Sequence, residues 1–166
     1  MDVVTALPHR PGPRPSTRRQ LPHTQLDQQP VDPGVRDELA RRAFGLPGVN
    51  EGPSGISVPG ARALLLDPSD AAERAEAFLV GTEFAHLHPA PDLSLHVTLP
   101  EGTARAAIAA GWAEWHPFVD DGRLPPTVVM VYAPRTTDEL DVVTTLLEAS
   151  HRFATSTPRR CACEHP

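Results

Sequence analysis

The sequence has 166 residues, a hydrophobic content of 40 % and a formal net charge of −6, which suits one globular domain. The negative charge and the absence of a Lys/Arg block in the central part argue against a nucleic-acid surface, which needs clustered cations. No apolar run reaches the roughly 18 residues of a membrane span, and the N-terminus lacks the apolar core of a secretory signal. We therefore expect a soluble, cytoplasmic protein with neither nucleic acid nor a membrane as partner.

The first 33 residues are rich in proline and arginine and show hardly any apolar periodicity. Such a segment buries too little surface to offset the entropy lost on ordering. We predict a disordered tail over residues 1–33, a folded domain over residues 34–155 and a flexible tail over residues 156–166. Cys161 and Cys163 lie in the last tail, where a disulfide would close no useful loop and a lone C-x-C lacks the second pair of a zinc site.

Helix and strand signals alternate at the start of the domain. Asp32 as a cap, Pro33 in the first turn and apolar residues at helical spacing predict a helix over residues 33–44. After a Gly/Pro-rich passage, the apolar run 61–66 predicts a strand. The segment 67–80 favours a second helix.

Two alternating runs, 83–89 and 93–100, follow with a short connection between them, which predicts an antiparallel hairpin. The chain then continues with a helix, two strands and a long helix, over residues 100–111, 112–118, 127–135 and 136–154. This order favours an α+β fold with a mainly antiparallel sheet and helices packed on one face, in a single domain.

The first strand of the hairpin, EFAHLHP, carries two histidines one residue apart. Because side chains alternate along a strand, Phe84, His86 and His88 are expected on one face, and Glu83 on the other. In the partner strand, His96 is expected to face the first pair across the hairpin. Three imidazoles can therefore meet on one face of the sheet.

The last two strands offer further candidates for a pocket on that face. They are expected to add proton-transfer groups, an anion partner and aromatic walls. These candidates are Trp112, Glu114, Trp115, His116, Tyr132 and Arg135. The two tryptophans have an alternative role in the core, and Arg135 has one as a helix cap or as an ion-pair partner of Asp138.

A pocket of this composition permits three kinds of function. In the first, histidines act as acid/base groups without a cofactor while Arg135 stabilises a substrate anion. In the second, His86, His88 and His96 bind iron, manganese or zinc, since imidazoles two residues apart on a strand can both reach a metal at about 2.0 to 2.1 Å. In the third, the pocket binds a metabolite or contacts a partner enzyme without catalysis. A single histidine can also be a plain hydrogen-bonding group on a wet sheet face.

Five motifs occur in order along the domain: EFAHLHP, SLHVTLP, GWAEWHP, VMVYAPR and the pattern EL..V..LL.AS.RF. Together they resemble the luciferase-domain family of bacterial and fungal proteins, over roughly residues 34–155. The resemblance implies a compact α+β domain, whose fungal members oxidise a hydroxylated hispidin, a pyrone-bearing polyphenol, with dioxygen and without a known organic cofactor. It also implies that the following residues line the pocket: His86, His88, His96, Trp115, His116, Tyr132 and Arg135.

From these observations we expect a small-molecule enzyme, oxygenase-like or acid/base in type, that acts on an enolisable or phenolic substrate of secondary metabolism, with dioxygen as a second substrate in the oxygenase case. The expected catalytic residues are His86, His88, His96, His116 and Arg135. The expected substrate-binding residues are Phe84, Trp112, Glu114, Trp115 and Tyr132. A metal-dependent oxygenase or isomerase and a non-catalytic accessory domain are the alternatives. The sequence leaves the substrate and the oligomeric state undetermined.

Overall fold

The structure is a computed structural model that describes residues 6–155. In this part of the chain the strands are β1 (Thr17–Arg18), β2 (Thr24–Gln25), β3 (Val49–Pro53), β4 (Arg62–Leu66), β5 (Glu83–Leu87), β6 (Leu95–Thr98), β7 (Ala113–Trp115) and β8 (Val128–Val131). The helices are α1 (Pro33–Phe44), α2 (Glu101–Ala109), α3 (Pro117–Asp120) and α4 (Thr137–Thr155), with one 3-10 turn at Ala75–Ala77.

Six of these strands form one antiparallel sheet in the order β3-β4-β5-β6-β8-β7, and β1 pairs with β2 in a separate small ribbon. Helix α4 lies over β5 and β6, α1 packs between α4 and β3, and α2 contacts β7. The apolar stripe of α4 enters the core with Leu140, Val143 and Leu147. The α+β prediction, with an antiparallel sheet and helices on one face, is confirmed.

Helix α1 begins and ends at the residues that its sequence signals predict. The side chain of Asp32 accepts the backbone N–H of Gly34 at 2.8 Å, and Pro33 occupies the first turn. Val35 and Leu39 are buried on its inner face. Local capping chemistry therefore determines this element.

The helix predicted over residues 67–80 is wrong, since only Ala75–Ala77 forms a helical turn there. Backbone groups of this segment form hydrogen bonds with distant residues. Ala72 donates its N–H to the carbonyl of Ala154 at 2.7 Å, and the hydroxyl of Thr98 donates to the carbonyl of Ala77 at 2.7 Å. Tertiary hydrogen bonds override the local helix propensity of the segment.

Strand β3 arises from a Gly/Pro-rich passage that carries no strand signal. It is the edge strand of the large sheet, a position that tolerates Pro53. Gly52 pairs with Ala63 of β4, and a Cβ atom at this position would lie only 2.8 Å from Leu65 Cδ1. The missing side chain therefore leaves room for the tip of the Leu65 side chain.

The N-terminal segment, residues 6–32, is packed against the domain, contrary to the disorder predicted from its composition. Arg10, His23 and Gln25 are buried. The contacts are mainly polar: for example, the backbone N–H of Gln25 donates to Asp92 Oδ1 at 2.9 Å. Hydrophobic patterning does not detect such contacts, because hydrogen bonds to the folded domain replace an apolar stripe.

The outermost residues of both predicted tails, including Cys161 and Cys163, lie outside the described residues. Within residues 6–155, none of the helices combines the length and the apolar character that crossing a membrane requires.

Candidate active site

Three histidines around the β5–β6 hairpin direct ring nitrogens at one another. His86 and His96 are directly opposite each other in the strand register, and His88 follows β5 immediately. Nε2 of His86, Nε2 of His88 and Nδ1 of His96 are separated pairwise by 3.0–3.2 Å. All three side chains are buried. The structure thus brings together the three imidazoles that the strand alternation places on one face.

Each of the three histidines has an inner ring nitrogen, which faces the other two, and an outer ring nitrogen, which faces away from them. The outer nitrogen of His86 contacts a buried carboxylate. Nδ1 of His86 lies 2.7 Å from Oε1 of Glu83. The hydroxyl of Ser54 donates to the same oxygen at 2.7 Å, and the backbone N–H of Gly55 donates to Oε2 at 2.9 Å. Although burial opposes ionisation, these hydrogen bonds hold the pKa of Glu83 below its ordinary value. The ionised carboxylate therefore accepts a hydrogen bond from Nδ1–H of His86.

A β-bulge gives Glu83 this position. Consecutive residues of β4 pair with Ala85 and Glu83, so Phe84 is an extra residue in β5 and the alternation reverses there. Glu83 thus faces the histidines, whereas Phe84 enters the hydrophobic core. The prediction that Phe84 shares the face of His86 is wrong for this reason.

The outer nitrogen of His88 is held by the hairpin turn. Its Nδ1 lies 3.0 Å from Ser94 Oγ and 2.6 Å from Asp92 Oδ2. Ser94 itself donates its hydroxyl to Asp92 Oδ1 at 2.6 Å, so its oxygen is free to accept from His88. Burial opposes ionisation of Asp92, but hydrogen bonds, first of all from His88, keep its pKa below the ordinary value.

The outer nitrogen of His96 contacts a histidine of the N-terminal segment. Nε2 of His96 lies 3.0 Å from Nδ1 of His23, and Nε2 of His23 lies 2.6 Å from Oε1 of Glu114 on β7. The Glu114 carboxylate also accepts the hydroxyl of Tyr132 at 3.1 Å. Because the carboxylate only accepts, His23 carries a proton at Nε2, and in the neutral tautomer its Nδ1 accepts a hydrogen bond from Nε2–H of His96.

The three inner nitrogens of the cluster therefore all present lone pairs. Each imidazole donates its proton outwards, which leaves Nε2 of His86, Nε2 of His88 and Nδ1 of His96 bare. Burial, followed by neighbouring groups that include other imidazoles, lowers the pKa of His96 well below its ordinary value, so the ring is neutral. Three lone pairs at such distances repel one another unless a cation lies between them.

This arrangement has the donor chemistry of a metal centre. Three nitrogen ligands at about 2.1 Å from one ion lie roughly 3.0 to 3.4 Å apart when the N–metal–N angles range from octahedral to tetrahedral. The observed separations of 3.0–3.2 Å fall in this range. Metal-binding histidines typically donate their second ring N–H to a carboxylate or another acceptor, as His86, His88 and His96 do here. The cluster therefore fits a first-row transition metal ion.

His116 lies beside the cluster and differs from it in protonation. It is the N-cap residue of α3, and its Nδ1 accepts the backbone N–H of Phe118 at 3.1 Å. Its ring centroid lies 5.1 Å from that of His96 and 5.3 Å from that of His23. Burial is the largest cause that lowers the pKa of His116 to about 4. Its ring is neutral at physiological pH.

The histidines form the polar floor of a cavity of about 350 Å³ between the sheet and the N-terminal segment. Its walls are mostly apolar, with Leu21, Pro22, Ile56, Val58, Leu79, Leu124 and Val128, and they include the hydroxyl-bearing residues Thr24 and Ser57. Among the lining residues of the described chain there is no Asp, Glu, Lys or Arg. The cavity therefore suits an uncharged ligand with a large apolar surface.

Arg135 does not line this cavity. Its Nε donates to Oε1 of Glu139 at 3.0 Å, and its guanidinium also donates to the carbonyl of Pro11 at 2.8 Å. It lies beyond β8 at the start of α4, beside a different groove. The prediction that Arg135 stabilises a substrate anion next to the histidines is wrong, and its partner is Glu139 and not Asp138.

The predicted substrate-binding residues also lie outside the lining of the histidine cavity. Trp112 is a core residue whose Nε1 donates to the carbonyl of Pro8 at 2.6 Å. Trp115 packs against the core on the helix side of the sheet. Glu114 and Tyr132 lie behind His23, where they hold the cluster and do not contact the cavity.

Sequence reasoning misses four residues that surround the cluster: His23, Glu83, Asp92 and Ser94. Asp92 and Ser94 carry a weak signal, because they are polar residues between two histidine-bearing strands, but turn residues are usually polar for other reasons. For His23 and Glu83 no local signal exists, since a non-local contact and a β-bulge determine their positions.

Residues 81–150 match the family model described as "Luciferase domain". The luciferases of Armillaria ostoyae and Armillaria gallica are each 30 % identical to this chain over 92 % of its length, and the match covers 62 % of each luciferase. The luciferase of Neonothopanus nambi is 36 % identical over 46 % of this chain and 29 % of its own length. No solved structure shows significant similarity to the chain.

The extent of these matches adds to the structural picture. The chain spans less than two thirds of the length of the Armillaria luciferases. Conversely, their match leaves out only a small part of this chain, so the similarity reaches beyond the predicted limits of 34–155 into the segment that carries His23. Residues 81–150 therefore resemble the luciferase domain, and the chain is similar to the fungal luciferases over most of its length.

Proposed function

We propose that this protein is a metal-dependent enzyme that oxygenates a phenolic or enolisable small molecule. The observation that carries the proposal is the convergence of Nε2 of His86, Nε2 of His88 and Nδ1 of His96, which lie 3.0–3.2 Å apart. The relation to the fungal luciferases supports an oxidative reaction of a small molecule. Iron and manganese suit this role better than zinc, because zinc has no redox chemistry.

The partners of the ligands support a preorganised metal site. Glu83, Asp92 with Ser94, and His23 each hold one outer ring nitrogen, which keeps the imidazoles oriented and their inner nitrogens bare. Two of these partners are buried carboxylates, whose negative charge raises the basicity of the ligands. No rearrangement of the side chains is needed before a metal ion binds.

The cavity supports the substrate class. A bound metal ion would lower the pKa of a coordinating hydroxyl and hold the resulting oxyanion. The apolar walls, which include the exposed residues Leu21 and Ile56, would cover an aromatic or pyrone ring and exclude water from the histidines. A phenol or an enol offers both a hydroxyl group and a flat apolar ring.

The overall reaction balances without an added reductant. An enol gives the electron pair of its carbon–carbon double bond to dioxygen, and one carbon–oxygen bond forms. The O–O bond is retained in a hydroperoxide, the enol oxygen becomes a carbonyl, and the enol proton ends on the outer peroxide oxygen. The substrate supplies both electrons, so no organic cofactor is required.

The metal content of purified protein tests the proposal. The full chain, produced without a polyhistidine tag, should contain about one iron or manganese per chain by elemental analysis, either as isolated or after anaerobic loading. His88→Ala should lose this metal, because three ligands become two. His9→Ala is the matched control, since His9 is exposed and lies outside the cluster.

Activity is measured as dioxygen uptake with a hydroxylated hispidin as the substrate. Uptake that requires the metal and disappears in His88→Ala would support the proposal. Uptake by a metal-free protein would instead support acid/base catalysis by the histidines. Metal-independent ligand binding without any uptake would support an accessory domain that binds a metabolite.

A further inference from the structure

We infer that His116 is a catalytic residue that donates a hydrogen bond from its Nε2 to the ionised oxygen of the substrate. This inference rests on the proposed function, because it names the protein group that receives the phenolate or enolate beside the metal ligands. Among the five histidines that line the cavity, His86, His88 and His96 would present lone pairs and His116 would present a proton, while His23 contacts His96 and Glu114.

His116 lies at the cavity wall beside one of the proposed metal ligands. It follows β7 directly and lines the cavity together with His86, His88 and His96. Its ring lies next to the ring of His96, with centroids 5.1 Å apart. On its other side, the ring of Phe118 lies at the same centroid distance and packs edge-on, which limits rotation of the imidazole.

The protonation state follows from the cap of α3. The backbone N–H of Phe118 donates to Nδ1 of His116, so Nδ1 carries the lone pair and a neutral ring must carry its proton on Nε2. Within residues 6–155, no acceptor for this proton is found. A ring N–H without a protein acceptor at the cavity wall is a ready donor to a ligand oxygen.

The hydrogen bond from the N–H of Phe118 to Nδ1 of His116 also argues against His116 as a metal ligand. One ring nitrogen of His116 lies within 4.8 Å of nitrogens of His23 and His96, a spacing that a metal ion could bridge. However, coordination through Nε2 would require a bare Nε2, whereas the cap leaves the proton there. In addition, Nδ1 of His23 already accepts from His96. Hydrogen-bond donation is the role that agrees with all of these contacts.

Two substitutions distinguish the role of His116 as a hydrogen-bond donor from its role as the N-cap of α3. In His116→Asn, the side-chain oxygen can cap α3, because Asn is a favoured N-cap residue, but the side chain is too short to place a donor where Nε2 lies. In His116→Gln, the amide nitrogen can reach the position of Nε2 and restore the donor, whereas the cap is weakened. A structural role and a donor role therefore predict opposite rankings of the two variants.

The probe is 4-nitrocatechol, whose absorption band reports both ionisation and binding of the phenolate. We expect wild-type protein to bind it, His116→Asn to bind about tenfold or more weakly, as for a lost hydrogen bond to a charged group, and His116→Gln to recover most of the affinity. Equal binding by wild type and His116→Asn would overturn the inference, as would weaker binding by His116→Gln than by His116→Asn. Absence of binding to wild-type protein would also overturn it.

Metal analysis of the same variants keeps the two proposals distinguishable. Both variants should retain the metal content of wild type, because His116 is not a ligand. Loss of metal in both variants would show that His116 belongs to the metal site and would overturn the donor role. If wild-type protein takes up no metal, the proposed function fails, while the ranking of 4-nitrocatechol affinities still decides the role of His116.

Discussion

Nε2 of His23 lies 2.6 Å from Oε1 of Glu114, and this contact joins the N-terminal segment to β7 behind the histidine cluster. His23 also accepts from His96, so a segment far away in sequence determines which nitrogen of His96 is bare. The N-terminal segment is therefore part of the structure that surrounds the histidine cluster.

Removing His23 should weaken metal binding. In His23→Ala, Nε2 of His96 loses its acceptor, and loss of such a partner typically lowers metal affinity by about 10- to 100-fold. Competition with a chromogenic chelator measures the affinity. Leu26→Ala is the control, because Leu26 is exposed in the same segment. Unchanged affinity in His23→Ala would contradict the role of His23.

The single tyrosine of the chain reports the charge of Glu114. Burial and the nearby Glu114 carboxylate raise the pKa of Tyr132 to about 12, since both disfavour the phenolate. We expect ultraviolet titration of the folded protein to show no tyrosinate around pH 10. In Glu114→Gln the negative charge is removed, so the pKa should fall. A normal titration of wild-type protein, near pH 10, would contradict the buried Tyr132–Glu114 pair.

Arg135 should act on stability and not on the reaction. Arg135→Ala leaves the buried carboxylate of Glu139 without its main partner, which should lower the free energy of unfolding by about 1–3 kcal/mol at neutral pH. Metal content and dioxygen uptake of the folded variant should match those of wild type. A selective loss of dioxygen uptake in Arg135→Ala, with normal stability, would indicate that Arg135 takes part in the reaction.

The same pair predicts a pH dependence. Burial opposes ionisation of Glu139, but the hydrogen bonds from Arg135 keep its pKa below the ordinary value. A lowered pKa in the folded state contributes stability above the pKa of the unfolded chain, and this contribution is lost as the pH falls below about 4. Urea unfolding between pH 3 and pH 7 should therefore show the difference between wild type and Arg135→Ala growing with pH. A difference independent of pH would exclude this mechanism.

Alanine substitutions at Phe84 and Ile56 should have opposite effects on protein stability and on ligand binding. Phe84→Ala opens a cavity in the core and should cost about 3–5 kcal/mol in the free energy of unfolding. Ile56→Ala should leave stability within about 0.5 kcal/mol, because Ile56 is 54 % exposed, yet it should weaken 4-nitrocatechol binding, since Ile56 lines the cavity. The reverse pattern in urea unfolding and ligand titration would contradict the bulge at Phe84.

Several parts of the fold can be predicted from sequence because local chemistry determines them. The cap at Asp32 and the proline after it determine the start of α1. The alternation in the hairpin places His86, His88 and His96 on one face because its period is two residues. The segment 67–80 shows the limit of such reasoning, since hydrogen bonds from distant residues decide its conformation.

By itself, the sequence determines that an antiparallel hairpin presents three histidines to one another, because strand alternation and a short turn are local properties. Only the tertiary structure decides what those histidines can do. The bulge at Phe84 brings Glu83 to His86, and the N-terminal segment brings His23 to His96. Both contacts depend on register and on packing between distant parts of the chain. Together with Asp92 and Ser94 at His88, they orient the three imidazoles so that one nitrogen of each faces a common point.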